Sequence, residues 1–143
     1  MRLFLDANVI FSAAHNPNGN GRGLFQLAAS GWCVLLTSPY ALEEARRNIA
    51  LRYPALIGEL DRLRTGLEVA PEARREQIHR ALSLGLHEKD APVFAAAAQA
   101  GADCLVTGDK RHFGHLYGRK LERLTVKSPA DALKSVLMLR TRR

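Results

Sequence analysis

Short apolar runs that alternate with helical segments restrict the fold of this chain most. Each run has three or four residues and stops at a turn residue or a charge, as expected for strands that are buried on both faces. The runs cover residues 3–5, 33–36, 104–106 and 124–126. Strands that alternate with helices pair in parallel and carry helices on both faces. The sequence therefore predicts a three-layer α/β/α fold with a central parallel sheet of about four to five strands.

Helix signals fill the segments between these runs. A first helix runs to about Ala14 and is followed by a loop over residues 15–23, which is rich in Gly, Asn and Pro. Capping residues, glycine stops and apolar spacing predict later helices over residues 24–29, 39–51, 56–63, 74–84 and 90–100, and a last helix that begins after Ser128. Residues 67–69 form either a short edge strand or only a connector, and the pattern leaves both open.

Size and composition fit one globular unit. The chain has 143 residues, of which 47% are hydrophobic and 24% charged, so we expect a single domain over residues 1–143 with a proper core. No apolar run approaches the length of a membrane span, and the start of the chain lacks the pattern of a signal peptide, so we expect a cytoplasmic protein with no membrane contact. Cys33 and Cys104 lie in predicted strands and are expected to be reduced and buried.

The charge balance gives a first indication of a partner. The formal net charge is +7, and this excess of Lys and Arg favours polyanions such as nucleic acids through the release of counterions. A basic balance is also common in proteins that never bind nucleic acid. The local arrangement of acids must therefore decide the function.

Four acids are candidates for one metal-binding pocket. Asp6, Glu44 and Asp109 lie just beyond the carboxyl ends of three predicted strands, and Asp90 begins a helix that can pack beside the first strand. Mg²⁺ and Mn²⁺ bind oxygen ligands, so a cluster of carboxylates suits them. Without a metal, like charges about 4 Å apart would repel by roughly 4 kcal/mol at an effective dielectric near 20.

Each acid also has a purely structural explanation. Asp6 and Asp90 can cap the helices that they precede, and Asp109 can serve a strand-to-helix turn. Glu43 and Glu44 lie on either side of the apolar stripe of their helix, so helical geometry does not choose between them.

Four motifs in this order resemble the PIN domain, in particular the small stand-alone bacterial kind that includes the VapC-type toxins. Each motif is weak alone, but their order and the elements between them are fairly specific. The motifs are Asp6-Ala7-Asn8-Val9, Ser38-Pro39-Tyr40-Ala41-Leu42-Glu43-Glu44, Asp90-Ala91-Pro92-Val93-Phe94 and Leu105-Val106-Thr107-Gly108-Asp109.

The resemblance implies an endoribonuclease that depends on Mg²⁺ or Mn²⁺ and hydrolyses RNA phosphodiester bonds. It assigns catalytic and metal-binding roles to four acids, and supporting roles to Asn8 and Thr107; the acids are Asp6, Glu44, Asp90 and Asp109. It further implies an RNA substrate, a cognate antitoxin protein and a homodimer. Many members of the family carry another acid shortly after the fourth, where this chain has His112 before Phe113.

Basic side chains near these motifs are candidates for contacts with the RNA backbone, although a solvated surface explains them equally well. They are Arg46, Arg47, Lys110, Arg111 and His112. Other classes compete with the ribonuclease. A haloacid-dehalogenase-like phosphohydrolase needs a second Asp where this chain has Asn8, and a phospho-receiver domain needs paired acids near the first strand. A catalytically inactive PIN-fold RNA-binding protein is a further alternative.

Overall fold

A six-stranded sheet forms the middle layer of the computed structural model, which describes residues 1–142. Arg143, the last residue of the expected domain, lies outside the described residues. The strand order is β3-β2-β1-β4-β6-β5, and all pairs are parallel except β5 with β6. The strands are β1 (Arg2–Leu5), β2 (Val34–Thr37), β3 (Leu67–Val69), β4 (Cys104–Val106), β5 (Lys120–Leu121) and β6 (Leu124–Lys127).

Helices connect the strands and cover both faces of the sheet. Ser38 and Ser128 cap two of them with their side chains, and a proline follows each cap, as the sequence predicts. Short 3₁₀ turns occur at Pro54–Leu56 and Gly114–Leu116. The α-helices are α1 (Ala7–His15), α2 (Asn20–Ala29), α3 (Pro39–Arg52), α4 (Ile57–Arg64), α5 (Arg75–Ser83), α6 (Ala91–Gln99), α7 (Lys110–Phe113) and α8 (Pro129–Thr141).

The alternation of side chains along the strands produces two cores. Leu3 and Leu5 of β1 pack with residues of α1, α2, α3, α4 and α8, whereas Phe4 packs with residues of α5, α6 and α7 on the other face. All three side chains are fully buried, and each such burial contributes about 1.5–3 kcal/mol. The packing on both faces therefore fixes the positions of the strand ends relative to one another.

The predicted fold class is confirmed, with differences in detail. The sheet has six strands rather than four to five, and residues 67–69 form an edge strand. Helix α2 begins at Asn20, inside the segment predicted as a loop. A Cβ at Gly21 would lie 3.2 Å from the carbonyl oxygen of Val9, a tight contact, so glycine suits the close packing of α2 on α1.

Two expectations about composition can be compared with the structure. Cys33 and Cys104 are buried free thiols, as expected. Within residues 1–142, none of the helices combines the length and the apolar character that crossing a membrane requires.

The order of the strands creates a crevice. From β1 the chain continues to β2 on one side, whereas β4 pairs with β1 on the other side. The connections therefore diverge at the carboxyl ends of β1 and β4, where ligands bind in open α/β sheets. Asp6 follows β1 and Thr107 follows β4 at this point.

Candidate metal centre

Asp6 lies where β1 meets α1, and both of its carboxylate oxygens accept hydrogen bonds. Oδ1 accepts from the backbone N–H of Ala7 at 2.8 Å and so caps α1. Oδ2 accepts from Oγ1 of Thr107 at 2.9 Å and from Nδ2 of Asn8 at 3.2 Å. The backbone N–H of Asp6 donates to the carbonyl of Val106 at 3.0 Å, which joins the ends of β1 and β4. The carboxylate is therefore fixed in position.

Thr107 and Asn8 extend this network to the next acid. Thr107 is fully buried, and its hydroxyl accepts a hydrogen bond from the backbone N–H of Asp109 at 3.1 Å. Asn8 accepts from the backbone N–H of Gly108 at 2.7 Å. A Cβ at Gly108 would lie 3.3 Å from Oδ1 of Asn8, so glycine suits this close approach. The two polar residues orient the loop that carries Asp109.

Asp90, Asp109 and His112 form a compact group of potential metal ligands. One ligand atom from each lies within 4.8 Å of the others. Nδ1 of His112 lies 2.6 Å from Oδ2 of Asp109 and 4.0 Å from Oδ1 of Asp90. Asp109 also caps α7, because Oδ1 accepts from the backbone N–H of His112 at 3.2 Å.

Asp90 differs from the other acids in its hydrogen bonds. It is 7% exposed, yet its side chain forms no cap hydrogen bond to α6, and its sole ion pair within residues 1–142 is the long contact with His112. Within residues 1–142, no side-chain oxygen is both fully buried and unpaired, so the Asp90 carboxylate keeps contact with solvent through the pocket that it lines. Because its side chain makes no cap hydrogen bond, helix capping does not explain Asp90.

Glu44 projects into the same space as this group, and Glu43 does not. A pocket of about 870 Å³ is lined by Glu44, Asp90, Asp109 and His112 together with Asn8. Glu43 is exposed and lines a different pocket with Arg46 and Asp61. The structure thus separates two adjacent glutamates that helical geometry alone left equivalent.

The electrostatics of the pocket follow from burial and from like charges. Burial raises the pKa of Asp6 above its ordinary value, hydrogen bonds from Ala7 and Thr107 oppose this, and the charges of Glu44 and Asp109 raise it further. Burial also raises the pKa of Asp90, while His112 opposes this and Asp109 adds to it.

In Asp109 and His112, the shifts of pKa favour the charged forms instead. Burial alone would raise the pKa of Asp109, but hydrogen bonds from the side chain and backbone of His112 outweigh it and leave the pKa lowered. The same side-chain hydrogen bond and the charge of Asp90 raise the pKa of His112. When it is protonated, His112 partly neutralises the negative charge of Asp90 and Asp109.

The donors in the pocket fit a hard divalent cation. Asp90 and Asp109 offer carboxylate oxygens at one position, and the side chain of Glu44 lines the same pocket. Hydrogen bonds from Ala7, Thr107 and Asn8 hold the Asp6 carboxylate. It therefore suits a place behind the direct ligands of a cation, as a fixed negative group. Oxygen ligands around an open pocket are what Mg²⁺ or Mn²⁺ requires.

The candidate RNA contacts lie in different places. Lys110 and Arg111 are exposed on α7, beside Asp109, and Lys110 lines a shallow pocket with Asn8 and Gly108. Arg46 pairs with Asp61 in the pocket of Glu43, so the structure does not bring it to the acidic pocket. Arg47 is exposed on α3 and does not line the acidic pocket either.

Sequence reasoning missed several residues of this pocket. It noted that His112 stands where many family members carry an acid, but gave no sign of its contacts with both Asp109 and Asp90. It did not select Phe11, Tyr40 or Arg52, which also line the pocket. Helical spacing could have found two of them, since Tyr40 precedes Glu44 by four residues and Arg52 follows it by eight, along one face of α3.

Comparison with solved structures identifies proteins of the same fold. VapBC2 from Rickettsia felis, bound to a DNA fragment from their promoter, has a TM-score of 0.66 at 16% identity and covers 90% of this chain and 98% of that chain. VapC20 from Mycobacterium tuberculosis, described as a sarcin-ricin loop cleaving toxin, has a TM-score of 0.57 at 18% identity, with 84% and 97% covered. VapBC-1 from nontypeable Haemophilus influenzae has a TM-score of 0.57 at 17% identity, with 91% and 99% covered.

Sequence comparison identifies the family. A search of the curated proteins gives no match. The family model described as the PIN domain matches residues 2–111, which include all four candidate acids and the crevice between β1 and β4. The match covers more than half of the chain, and it agrees with the fold of the solved structures. This chain belongs to the PIN domain family.

Proposed function

We propose that this protein is an endoribonuclease that requires Mg²⁺ or Mn²⁺ and hydrolyses phosphodiester bonds in RNA. The observation that carries the proposal is the placement of Asp90, whose side chain does not cap its helix, beside Asp109 and Glu44 in one open pocket. Carboxylates this close repel each other unless a cation compensates their charge, and the pocket lies next to a crevice where ligands bind.

The side chains have distinct roles in this proposal. Asp90, Asp109 and Glu44 would hold the cation, and Asp6 would stand behind them as a fixed negative group. Thr107 and Asn8 fix the position of Asp6 relative to the loop that carries Asp109, through their hydrogen bonds to both. Lys110 and Arg111 lie on the exposed side of α7, where they suit contacts with RNA phosphates.

A bound divalent ion would supply two effects, a lower pKa for an attacking water and charge compensation for the phosphate. The residues of the chain would bind the cation, orient its ligands and neutralise part of the charge in the pocket. His112 hydrogen-bonds Oδ2 of Asp109, so this imidazole would compete with a cation for that carboxylate oxygen. Deprotonation of His112 would favour the cation, and the proposal therefore includes weaker activity at low pH.

A phosphohydrolase that forms an aspartyl phosphate is the main alternative. Such an enzyme needs a carboxylate free to attack phosphorus, but both oxygens of Asp6 accept hydrogen bonds. Asn8 occupies the place of the second Asp and donates to Asp6 and Thr107 rather than acting as an acid. The geometry favours metal binding over nucleophilic attack.

One assay separates these functions. The purified protein is incubated with a mixed panel of RNAs and, separately, with a generic phosphomonoester, each with Mg²⁺, with Mn²⁺ and with EDTA. The proposal expects RNA cleavage with either metal, none with EDTA, and no release of phosphate from the monoester. Phosphate release without RNA cleavage would support the alternative, and cleavage in EDTA would contradict the metal requirement.

A cognate antitoxin and a homodimer are proposed as partners on the basis of the family resemblance. The solved structure of VapBC2 contains a DNA fragment from a promoter, which is a property of that complex. Light scattering on the purified protein tests the dimer, and identification of proteins that copurify with it from its native cells tests the antitoxin.

A further inference from the structure

Four side chains form a compact stacked cluster next to the acidic pocket. Phe11 and His15 come from α1, and Arg52 and Tyr53 come from the end of α3, which packs against α1. The rings of His15 and Tyr53 are 4.3 Å apart at an interplanar angle of 27°, and the rings of Phe11 and His15 are 6.0 Å apart at 26°. The guanidinium carbon of Arg52 lies 5.1 Å from the centre of the Phe11 ring and 5.5 Å from that of Tyr53.

This stacked cluster is continuous with the proposed cleavage site. Phe11 and Arg52 line the same pocket as Glu44, Asp90 and Asp109. Arg52 is exposed and, within residues 1–142, forms no ion pair, although several carboxylates line that pocket. Its charge is therefore available to a negatively charged ligand, and it stays over the aromatic rings instead of pairing with an acid.

Exposure shows which parts of the cluster a ligand can reach. Phe11 and Tyr53 are partly buried, so their rings are held in place, whereas His15 and Arg52 are exposed. A ligand can therefore reach the imidazole of His15 and the guanidinium of Arg52, both planar groups, beside two partly buried rings. Bases of single-stranded nucleic acids stack on aromatic rings and on guanidinium planes, and a basic group beside them can meet a phosphate.

We infer that the stacked cluster of Phe11, His15, Arg52 and Tyr53 is a subsite that holds an unpaired RNA base next to the cleaved phosphate. The inference rests on the proposed function because it gives the acidic pocket a substrate class, RNA with unpaired bases. Bases inside a duplex are stacked on each other and do not reach such a surface. The subsite accepts any base, since every base has a face that can stack.

The test compares binding of two decamers at the same ionic strength in EDTA, where no cleavage competes. One is decaadenylate and the other is an abasic ribose phosphate decamer, so the number of phosphates is equal and the bases alone differ. Binding is measured by fluorescence anisotropy. Since stacking accounts for a large part of such binding, wild type should bind decaadenylate about tenfold more tightly than the abasic decamer.

Variants locate the effect. Tyr53→Leu and Arg52→Gln should bring this ratio close to one, whereas Tyr53→Phe should retain it because the ring remains. Arg140→Gln is the matched control, because Arg140 lies over Trp32 at 5.7 Å, next to the start of β2 and so at the opposite edge of the sheet. Thermal unfolding of each variant, followed by circular dichroism, verifies that it is folded.

The outcomes separate the subsite from the proposed function. A folded Tyr53→Leu that keeps the preference for bases overturns the inference, as does a wild type that binds both decamers equally. Binding of a partner protein at this surface with no preference for bases in RNA would overturn it in favour of a protein interface. A preference that depends on the cluster, in a protein that cleaves no RNA, supports the subsite and contradicts the ribonuclease.

Discussion

Asp6 and Asp109 each have two roles, because one carboxylate caps a helix and also belongs to the candidate site. Asp6 caps α1 and also accepts from Thr107, and Asp109 caps α7 and also contacts His112. The structural and functional explanations of these acids are therefore compatible. Asp90 is different, since it is buried and caps nothing. At the scale of single residues, Asp90 and Glu44 are the more informative sites for substitution.

The two adjacent glutamates of α3 give a matched pair. Glu44→Gln should lower kcat for RNA cleavage at least roughly 100-fold, because it removes a charge from the metal pocket. Glu43→Gln should change kcat less than about twofold, since Glu43 lies in another pocket. Steady-state kinetics on one RNA at saturating Mg²⁺ measures both. Equal losses, or a larger loss for Glu43, would refute the assignment of Glu44.

Asp90 predicts how the stability of the metal-free protein depends on pH. Burial raises its pKa, so the folded state binds this proton more tightly than the unfolded state, and stability falls as pH rises from about 3.8 through the raised value. Asp90→Asn removes the charge and should raise Tm at pH 7 by roughly 2–5 °C, with little change near pH 3.

Thermal unfolding of wild type and variant in EDTA across this pH range checks the prediction. Glu43→Gln serves as the control for loss of an exposed acid and should shift Tm by less than about 1 °C. A lower Tm for Asp90→Asn at pH 7 would mean that the charged carboxylate stabilises the metal-free fold, which is the opposite of what a raised pKa requires.

At the scale of elements, β5 is the strand that the sequence did not predict, and it forms a hairpin with β6. Its two turn residues, Glu122 and Arg123, have φ values of 51° and 73°. A two-residue hairpin needs positive φ at both positions, and Asn-Gly is the usual sequence signal. Neither residue gives that signal here. The ion pair of Glu122 with Arg80 at 2.6 Å anchors the turn to α5, a contact between distant parts of the chain.

Strain at Arg123 can be relieved by substitution. Arg123→Gly should increase the free energy of unfolding by about 0.5–1 kcal/mol, because glycine adopts positive φ without a Cβ clash. Chemical denaturation measures the change. Lys120→Gly, in extended β5, should instead reduce stability. Loss of stability in both variants would show that Arg123 contributes contacts that outweigh its backbone strain.

At the scale of the whole molecule, much of the layout followed from the sequence because local and global signals agree. Apolar runs, serine caps and glycine stops predicted the layers, and strand ends brought the acids to one edge. The sequence could not predict the start of α2, which depends on contact between Gly21 and Val9, or the contacts of His112 with both acids. These features arise from residues far apart in the chain, to which local periodicity is insensitive.

The central claim is that Asp90, Asp109 and Glu44 hold a divalent ion in the acidic pocket. Crystals soaked in Mn²⁺ test it most directly, through anomalous scattering. The account predicts a peak within coordination distance of Asp90 and Asp109, with the His112 ring displaced from Asp109, and loss of that peak in Asp90→Asn crystals. A pocket that stays empty at saturating Mn²⁺ while His112 keeps its contact with Asp109 would contradict it.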